Sequence, residues 1–185
     1  MSATTTALPT GTWNVDPTHS RVGFTVKHIG ISKVRGEFGE YSGQLVIAED
    51  GTATASGTVN VASIDTSDAN RDGHLKSADF FDAENYADIT FTSTSITAID
   101  DENYEIVGDL TLRGETHPVT LKAELGGTEN DPQGNERVGL EITGELSRGE
   151  YGMKFNMALG SGNLAVSDKV KLELDISATK QTDAA

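Results

Sequence analysis

The chain contains no cysteine. Disulfide bonds, thiol nucleophiles and cysteine-ligated metal sites are therefore excluded. It also has no uninterrupted apolar run of the roughly 18 residues that a membrane-spanning helix needs, so we expect no integral membrane association. The N-terminal segment MSATTTALPTGTW has neither the basic start nor the apolar stretch of a secretory signal. The sequence therefore predicts a cytoplasmic location.

Positive charge is scarce. Lys and Arg together number 14 against 29 Asp and Glu, which gives a formal net charge of -15. A surface with this excess repels nucleic acid phosphates and anionic lipid headgroups, so nucleic acid is a poor partner. The same charge favours solubility.

Motifs of catalysis and metal binding are also missing. The chain has four histidines, and none has a second histidine at the spacing of a helical zinc site. Neither a Gly-x-Ser-x-Gly nucleophile motif nor a phosphate-binding glycine loop is present. We therefore expect no metal ion, no required cofactor and no enzymatic activity.

The chain does have a strong alternation of apolar and polar residues between Val22 and Ile176. Near the C-terminus, Val170, Leu172, Leu174 and Ile176 share one face of a predicted strand. About eight such strands and almost no helical pattern favour an all-β antiparallel barrel or sandwich. We predict a flexible tail at residues 1–11, one domain at 12–180, and a frayed end at 181–185.

Two segments differ from this alternation. Residues 67–82 carry a capping pair, Ser67-Asp68, and apolar residues at helical spacing, which predicts a short helical excursion. Residues 52–64 are rich in Ala, Ser, Thr and Gly. Where such a strand faces the interior it leaves space, which indicates a cavity.

A stripe of flexible apolar residues, Met153, Phe155, Met157 and Leu159, falls on a single parity. On one strand these side chains would form an apolar wall, and methionine adapts well to an alkyl or prenyl chain. Pattern alone leaves an ordinary filled core as an equal alternative.

His28 shares its parity with Phe24 and Val26, so it could lie at the end of an apolar wall and bind the oxygen of a quinone or alcohol. A surface histidine is the alternative. Asp16, His19 and Ser20 contain the residue types of a catalytic triad, but neighbours on one turn rarely converge. A small-substrate hydrolase or isomerase that uses His19 or His28 is therefore the second hypothesis.

Several motifs in order make the chain resemble the YceI-like family of lipocalin-like polyisoprenoid-binding proteins. They are Trp13-x-Val15-Asp16-x-x-His19-Ser20, Val22-x-Phe24-x-Val26-Lys27-His28, Ile64-Asp65-Thr66, Arg71-Asp72-x-His74-Leu75-x-Ser77-x-Asp79-Phe80-Phe81-Asp82, Gly108-Asp109-Leu110-Thr111-Leu112 and Arg148-x-x-Tyr151-Gly152. The resemblance implies an extended antiparallel eight-stranded barrel that holds a long isoprenoid chain, often as a homodimer. Many relatives carry a signal peptide and a Tyr-Pro pair, whereas this chain has no visible signal and has Tyr86-Ala87.

Together these observations predict a protein that binds a long apolar chain for storage, transport or protection. The ligand would be a polyisoprenoid, a prenyl quinone or a similar lipid. The residues that we expect to contact it are Phe24, Val26, His28, Phe38, Phe80, Phe81, Phe91, Leu110, Met153, Phe155 and Met157.

Overall fold

The computed structural model describes residues 8–183 and contains, over that range, eleven strands and one α-helix. In chain order they are β1 (Gly11–Val15), β2 (Arg21–His28), β3 (Ser32–Phe38), β4 (Tyr41–Ile47), β5 (Ala53–Asn60), β6 (Ile64–Asp65), α1 (Ala69–Lys76), β7 (Asp88–Ala98), β8 (Asn103–Leu112), β9 (Glu115–Asn130), β10 (Glu136–Ser147) and β11 (Val166–Lys180).

Eight of the strands close into a ring in the order β1-β4-β5-β7-β8-β9-β10-β11. The ring closes where β11 pairs with β1, with Trp13 opposite Lys180 and Val15 opposite Ala178. Neighbouring strands are antiparallel throughout. The predicted all-β, eight-stranded antiparallel barrel with a short helix is therefore confirmed. Closure pairs the strand edges with each other.

Strands β1 and β2 share one edge of β11. A short turn at Pro17–His19 separates them, so β1 pairs with the end of β11 and β2 pairs with its beginning. Strands β3 and β6 extend the sheet beyond β2. The β2–β3 hairpin therefore projects at the same end of the barrel as the beginning of β11.

Strand β9 is longer than the alternation predicts. The apolar pattern ends at Leu125, yet pairing with β10 continues to Asn130. The register shifts between Gly139 and Leu140, and Gly126 is the extra residue of a β-bulge there. A bulge interrupts the alternation without ending the strand, which is why the pattern alone stopped early.

The helical excursion predicted at 67–82 forms one helix of eight residues, α1, followed by turns. Asp68 caps α1 by accepting a hydrogen bond from the backbone N–H of Arg71 at 2.9 Å. Thr66 anchors the helix to the sheet. Its hydroxyl accepts from Arg71 Nε at 2.7 Å and donates to Asp72 Oδ1 at 2.6 Å.

The predicted domain division stays a prediction. Residues 1–7 and 184–185, which belong to the two predicted tails, lie outside the described residues. Strand β1 begins at Gly11, inside the predicted N-terminal tail.

A cluster of ion pairs joins the turn between β1 and β2 to the β9–β10 hairpin. Arg137 Nη1 lies 2.8 Å from Asp16 Oδ2, and its Nε lies 2.8 Å from Asp131 Oδ2. His19 Nδ1 also lies 2.8 Å from Asp16. Hydrogen bonds from Arg137 and His19 lower the pKa of Asp16 well below its usual range. Hydrogen bonds from Asn135 and Arg137 help to lower the pKa of Asp131 to about 2.

Candidate ligand-binding cavity

The barrel encloses a cavity of about 300 Å³. Its longest wall is β11, where Val170, Leu172, Leu174, Ile176 and Ala178 all line it. Eight residue steps along a strand span about 27 Å. The cavity is therefore elongated along the barrel, and its volume lies at the lower end of the range for small-molecule sites.

Small residues on adjacent strands keep part of the barrel hollow. Ala55, Gly57 and Val59 of β5 line the cavity, and Gly43 of β4 lies directly opposite Gly57 in the ladder. The nearest atom to a Cβ placed on Gly57 would be the backbone oxygen of Ser42, at 3.4 Å. The space in front of Gly57 is therefore empty. The small-residue composition of residues 52–64 indicated this cavity correctly.

Two phenyl rings lie against the barrel wall over glycines. A Cβ on Gly36 would lie 2.4 Å from Cζ of Phe24, and a Cβ on Gly108 would lie 2.4 Å from Cζ of Phe91. Larger residues at the two glycines would displace the rings. Because Gly36 and Gly108 have no side chain, the rings of Phe24 and Phe91 lie close to the backbone. The two rings therefore line the cavity but fill less of its volume.

Residues 69–82, which we call the cap, lie at one end of the cavity. Leu75, Phe80 and Phe81 of the cap line the cavity. Phe81 packs edge-on against Phe38 with ring centroids 6.0 Å apart, and Phe80 packs against Phe155 at 5.4 Å. Tilted and edge-on contacts of this kind are favourable between aromatic rings.

Arg113 fastens the cap to the barrel. Its Nη2 donates to the carbonyl of Ala78 at 2.7 Å, and its Nη1 donates to the carbonyl of Gly152. In the cap itself, His74 Nε2 lies 2.8 Å from Asp79 Oδ2. The cap therefore contacts both the turn after β8 and the segment after β10.

Arg148 is the one charged side chain among the described residues that line the cavity. It is only 5% exposed, and burial lowers the pKa of its guanidinium, although Asp168 opposes that effect. An arginine remains protonated in such a site. Its charge is met by backbone carbonyls at 2.6 to 3.2 Å. The acceptors are Met153, Phe155, Val166 and Ser167.

Eight of the eleven residues predicted to contact a ligand line this cavity. They are Phe24, Val26, Phe38, Phe80, Phe81, Phe91, Leu110 and Met153. They come from β2, β3, β7, β8, the cap and the segment after β10, and the barrel brings them together. Their contact with a ligand stays a prediction.

The other three residues do not line the cavity. His28 is the exposed last residue of β2, because the strand extends past the cavity toward its hairpin. Phe155 packs behind Phe80 instead of facing the lumen. Met157 is 59% exposed. The expectation that Phe155 and Met157 face the lumen is therefore wrong, and His28 is the surface histidine of the alternative interpretation.

The predicted Met/Phe strand does not form, and the reason lies in side-chain hydrogen bonds. Residues 153–157 have no ladder partner, and their carbonyls at 153 and 155 accept from Arg148 instead. Asn156 bonds both the N–H and the carbonyl of Val166, at 3.0 and 2.7 Å. Side chains thus replace a neighbouring strand, and alternation cannot reveal this.

The groups of the second hypothesis do not assemble as a triad. His19 contacts Asp16, but the hydroxyl of Ser20 donates to the carbonyl of Ser177 at 3.1 Å and accepts from its N–H at 2.9 Å. Ser20 therefore bonds to the main chain of β11. In the part of the chain that the structure describes, no group of three or more His, Asp or Glu residues could hold a metal ion.

Sequence reasoning missed two important positions. Trp13 is fully buried and lines the cavity near the junction of β1 and β11, and it is the only tryptophan of the chain. In the sequence, Arg148 is recognisable only as part of the Arg148-x-x-Tyr151-Gly152 motif. A lone arginine in an apolar pattern next to a turn was the available signal, but its burial depends on the fold of the segment after it.

Comparison with known proteins agrees with this architecture. The YceI-like domain family matches residues 13–178. The chain belongs to the YceI-like family. Protein YceI of Escherichia coli is 39% identical over 145 residues, which cover 77% of this chain and 75% of that protein. The family predicted from the motifs is confirmed.

Solved structures show the same fold. The crystal structure of BcnA from Burkholderia cenocepacia superposes with a TM-score of 0.75 at 23% identity, covering 89% of this chain and 99% of that one. A polyisoprenoid binding domain from Saccharophagus degradans, implicated in plant cell wall breakdown, gives a TM-score of 0.66 at 15% identity. That match covers 91% of this chain and 98% of the domain.

No helix in residues 8–183 has the length and apolar character needed to cross a membrane. The longest helix, α1, has eight residues and exposes most of them.

Proposed function

We propose that this protein holds a long apolar chain, a polyisoprenoid, a prenyl quinone or a similar lipid, inside the barrel. The observation that carries the proposal is the elongated cavity, whose lining is apolar along five consecutive inward positions of β11. The likeness in fold to the polyisoprenoid binding domain supports it. The role is binding for storage, transport or protection, without catalysis.

Burial of hydrocarbon supplies the binding free energy. Each buried CH₂ contributes about 0.8 kcal/mol, so a chain that fills the barrel gains several kcal/mol before the cost of ordering it. An ion pair with the ligand is not required. Four of the five N–H groups of Arg148 already donate to carbonyls.

The fifth N–H of Arg148 is left to donate to an oxygen of the ligand, and this hydrogen bond would orient the ligand in the cavity. Arg148 lies 5.9 Å from the ring of Phe80 in the cap, so an alcohol or quinone oxygen would lie at the cap end. The hydrocarbon tail would then extend toward Trp13. The proposal is independent of the predicted cytoplasmic location and homodimer, which both stay predictions.

Trp13 provides the test, because it is the one tryptophan and lies far along the cavity from the cap. Delipidated protein is titrated with prenyl alcohols of increasing length while tryptophan emission is recorded. We expect the affinity to rise with length, and the emission to change only for chains long enough to reach Trp13. Equal affinity for short and long chains would contradict the proposal.

A further inference from the structure

One part of the outer surface differs from the rest of the molecule in its charge and in its exposed apolar side chains. Two segments, 27–35 and 153–167, lie at the cap end, and we call them together the tip. A hydrogen bond of 2.8 Å joins the N–H of Ile29 to the carbonyl of Ala165, and His28 pairs with Val166. The two segments therefore form one continuous surface.

The tip is basic in an acidic protein. It contains four Lys and Arg residues, Lys27, Lys33, Arg35 and Lys154, and no Asp or Glu, whereas the whole chain carries a net charge of -15. All four side chains belong to exposed residues. None of them makes an ion pair with any residue of the described range 8–183.

The tip also exposes large apolar side chains. Ile31 is 85% exposed, Met157 is 59% exposed and Leu164 is 55% exposed. Ile31 lies at the turn of the β2–β3 hairpin, and the other two lie in the segment held by Arg148. Folding has not buried them, although the same segment contributes Met153 to the cavity.

We infer that the tip docks onto an anionic phospholipid membrane surface. Exposed lysines and arginines bind the headgroup phosphates, and each contributes about 1 kcal/mol near an anionic surface. The apolar side chains between them insert at the boundary with the acyl chains. The net charge predicts repulsion from such lipids as an average over the surface, and the tip is the exception to it.

The tip adjoins the cap end of the cavity, which relates docking to the uptake of a ligand. Met153 lines the cavity and Met157 is exposed four residues later, while Val26 lines the cavity directly before Lys27. A membrane in contact with the tip would therefore lie next to the cap end of the cavity. A chain could move between bilayer and barrel there, but docking itself does not depend on an occupied cavity.

Vesicle flotation tests the inference with the full chain. We expect binding to vesicles of phosphatidylcholine with phosphatidylglycerol, and none to phosphatidylcholine alone. High salt should release the protein because it screens the lysines. The double variant Lys33→Gln/Lys154→Gln should bind at least about tenfold more weakly. Its control, Lys122→Gln/Lys180→Gln, removes the same charge from β9 and from the end of β11 that pairs with β1, and should bind normally.

A second pair of variants tests the apolar contribution. Ile31→Ser should weaken vesicle binding, whereas Ile99→Ser should not, because Ile99 is 62% exposed in the acidic β7–β8 hairpin at the opposite end. Absence of flotation, or equal effects of tip and control variants, overturns the inference. So does a dimer that Ile31→Ser dissociates while vesicles bind neither form. A variant with a filled cavity, Gly57→Leu, should still float, which separates this test from that of lipid binding.

Discussion

Gly57→Leu should weaken the uptake of a prenyl chain while the barrel stays folded. Gly57 faces the cavity with no atom nearer than 3.4 Å to a Cβ placed on it, and it lies opposite Gly43. A leucine there projects into the space that the ligand needs. Overpacking a filled apolar site costs about 1–3 kcal/mol, so Kd for a chain that must pass this point should rise about 10- to 100-fold.

The control for this variant is Thr54→Leu. Thr54 is an exposed residue on the outer face of the same strand, so a leucine there does not reach the cavity. The free energy of unfolding of both variants should lie within about 2 kcal/mol of the wild-type value. Filling a cavity, as in Gly57→Leu, is usually neutral or stabilising, and Thr54→Leu changes only the exposed face. Wild-type affinity in Gly57→Leu, measured by titration with a long prenyl alcohol, would show that the chain binds elsewhere.

Arg148→Met should have the largest effect on stability. The change removes the guanidinium donors to the carbonyls of Met153, Phe155, Val166 and Ser167, and of these four only Val166 keeps another side-chain donor among the described residues, Asn156. Methionine fills much of the same space but donates no hydrogen bond. Hydrogen bonds from charged groups are stronger than neutral ones, and loss of this set should lower the free energy of unfolding by about 2–4 kcal/mol.

Hydrogen exchange separates a local effect from a global one. In Arg148→Met, amides of residues 153–167 should exchange faster, while those of the β8–β9 ladder keep their relative protection. Arg35→Met, which changes an exposed arginine of the tip, should leave both regions unchanged. Unaltered exchange in residues 153–167 would mean that Arg148 does not hold this segment.

The ion pairs of Asp16 should make stability depend on acid. Its pKa is lowered in the folded protein, so its contribution is present above the usual value of about 4 and is lost as the pH falls below it. Thermal unfolding should show that Asp16→Asn lowers Tm at neutral pH, and that the difference from wild type shrinks below about pH 3. Asp101→Asn, on an exposed turn, serves as the control. A pH-independent difference would contradict this account.

The fold could be predicted largely because a barrel wall has a period of two. Val170, Leu172, Leu174 and Ile176 alternate with charged residues, and all four line the cavity. Alternation fixes which residues share a face, and closure then places those faces together. The same logic placed Phe24, Val26 and Leu110 correctly.

The conformation of residues 153–167 and the limits of the lumen could not be predicted, because they depend on contacts between residues that are far apart in the sequence. Alternation continues through Phe155 and Met157, but Arg148 and Asn156 take the hydrogen bonds that a neighbouring strand would have made. His28 follows the parity of Phe24 and yet lies beyond the cavity, because parity does not say where the lumen ends. The basic tip could also be recognised only from the structure, because its two segments are more than 100 residues apart in the sequence.

The central claim is that the barrel is hollow and holds an apolar chain, and native mass spectrometry of the purified protein tests it most directly. Wild-type protein should carry a bound lipid at one molecule per chain, released by organic extraction and identified as a long hydrocarbon. Gly57→Leu, purified in the same way, should carry much less of it. A wild-type protein that never carries a lipid, and takes up none when prenyl alcohols are added, would contradict the account.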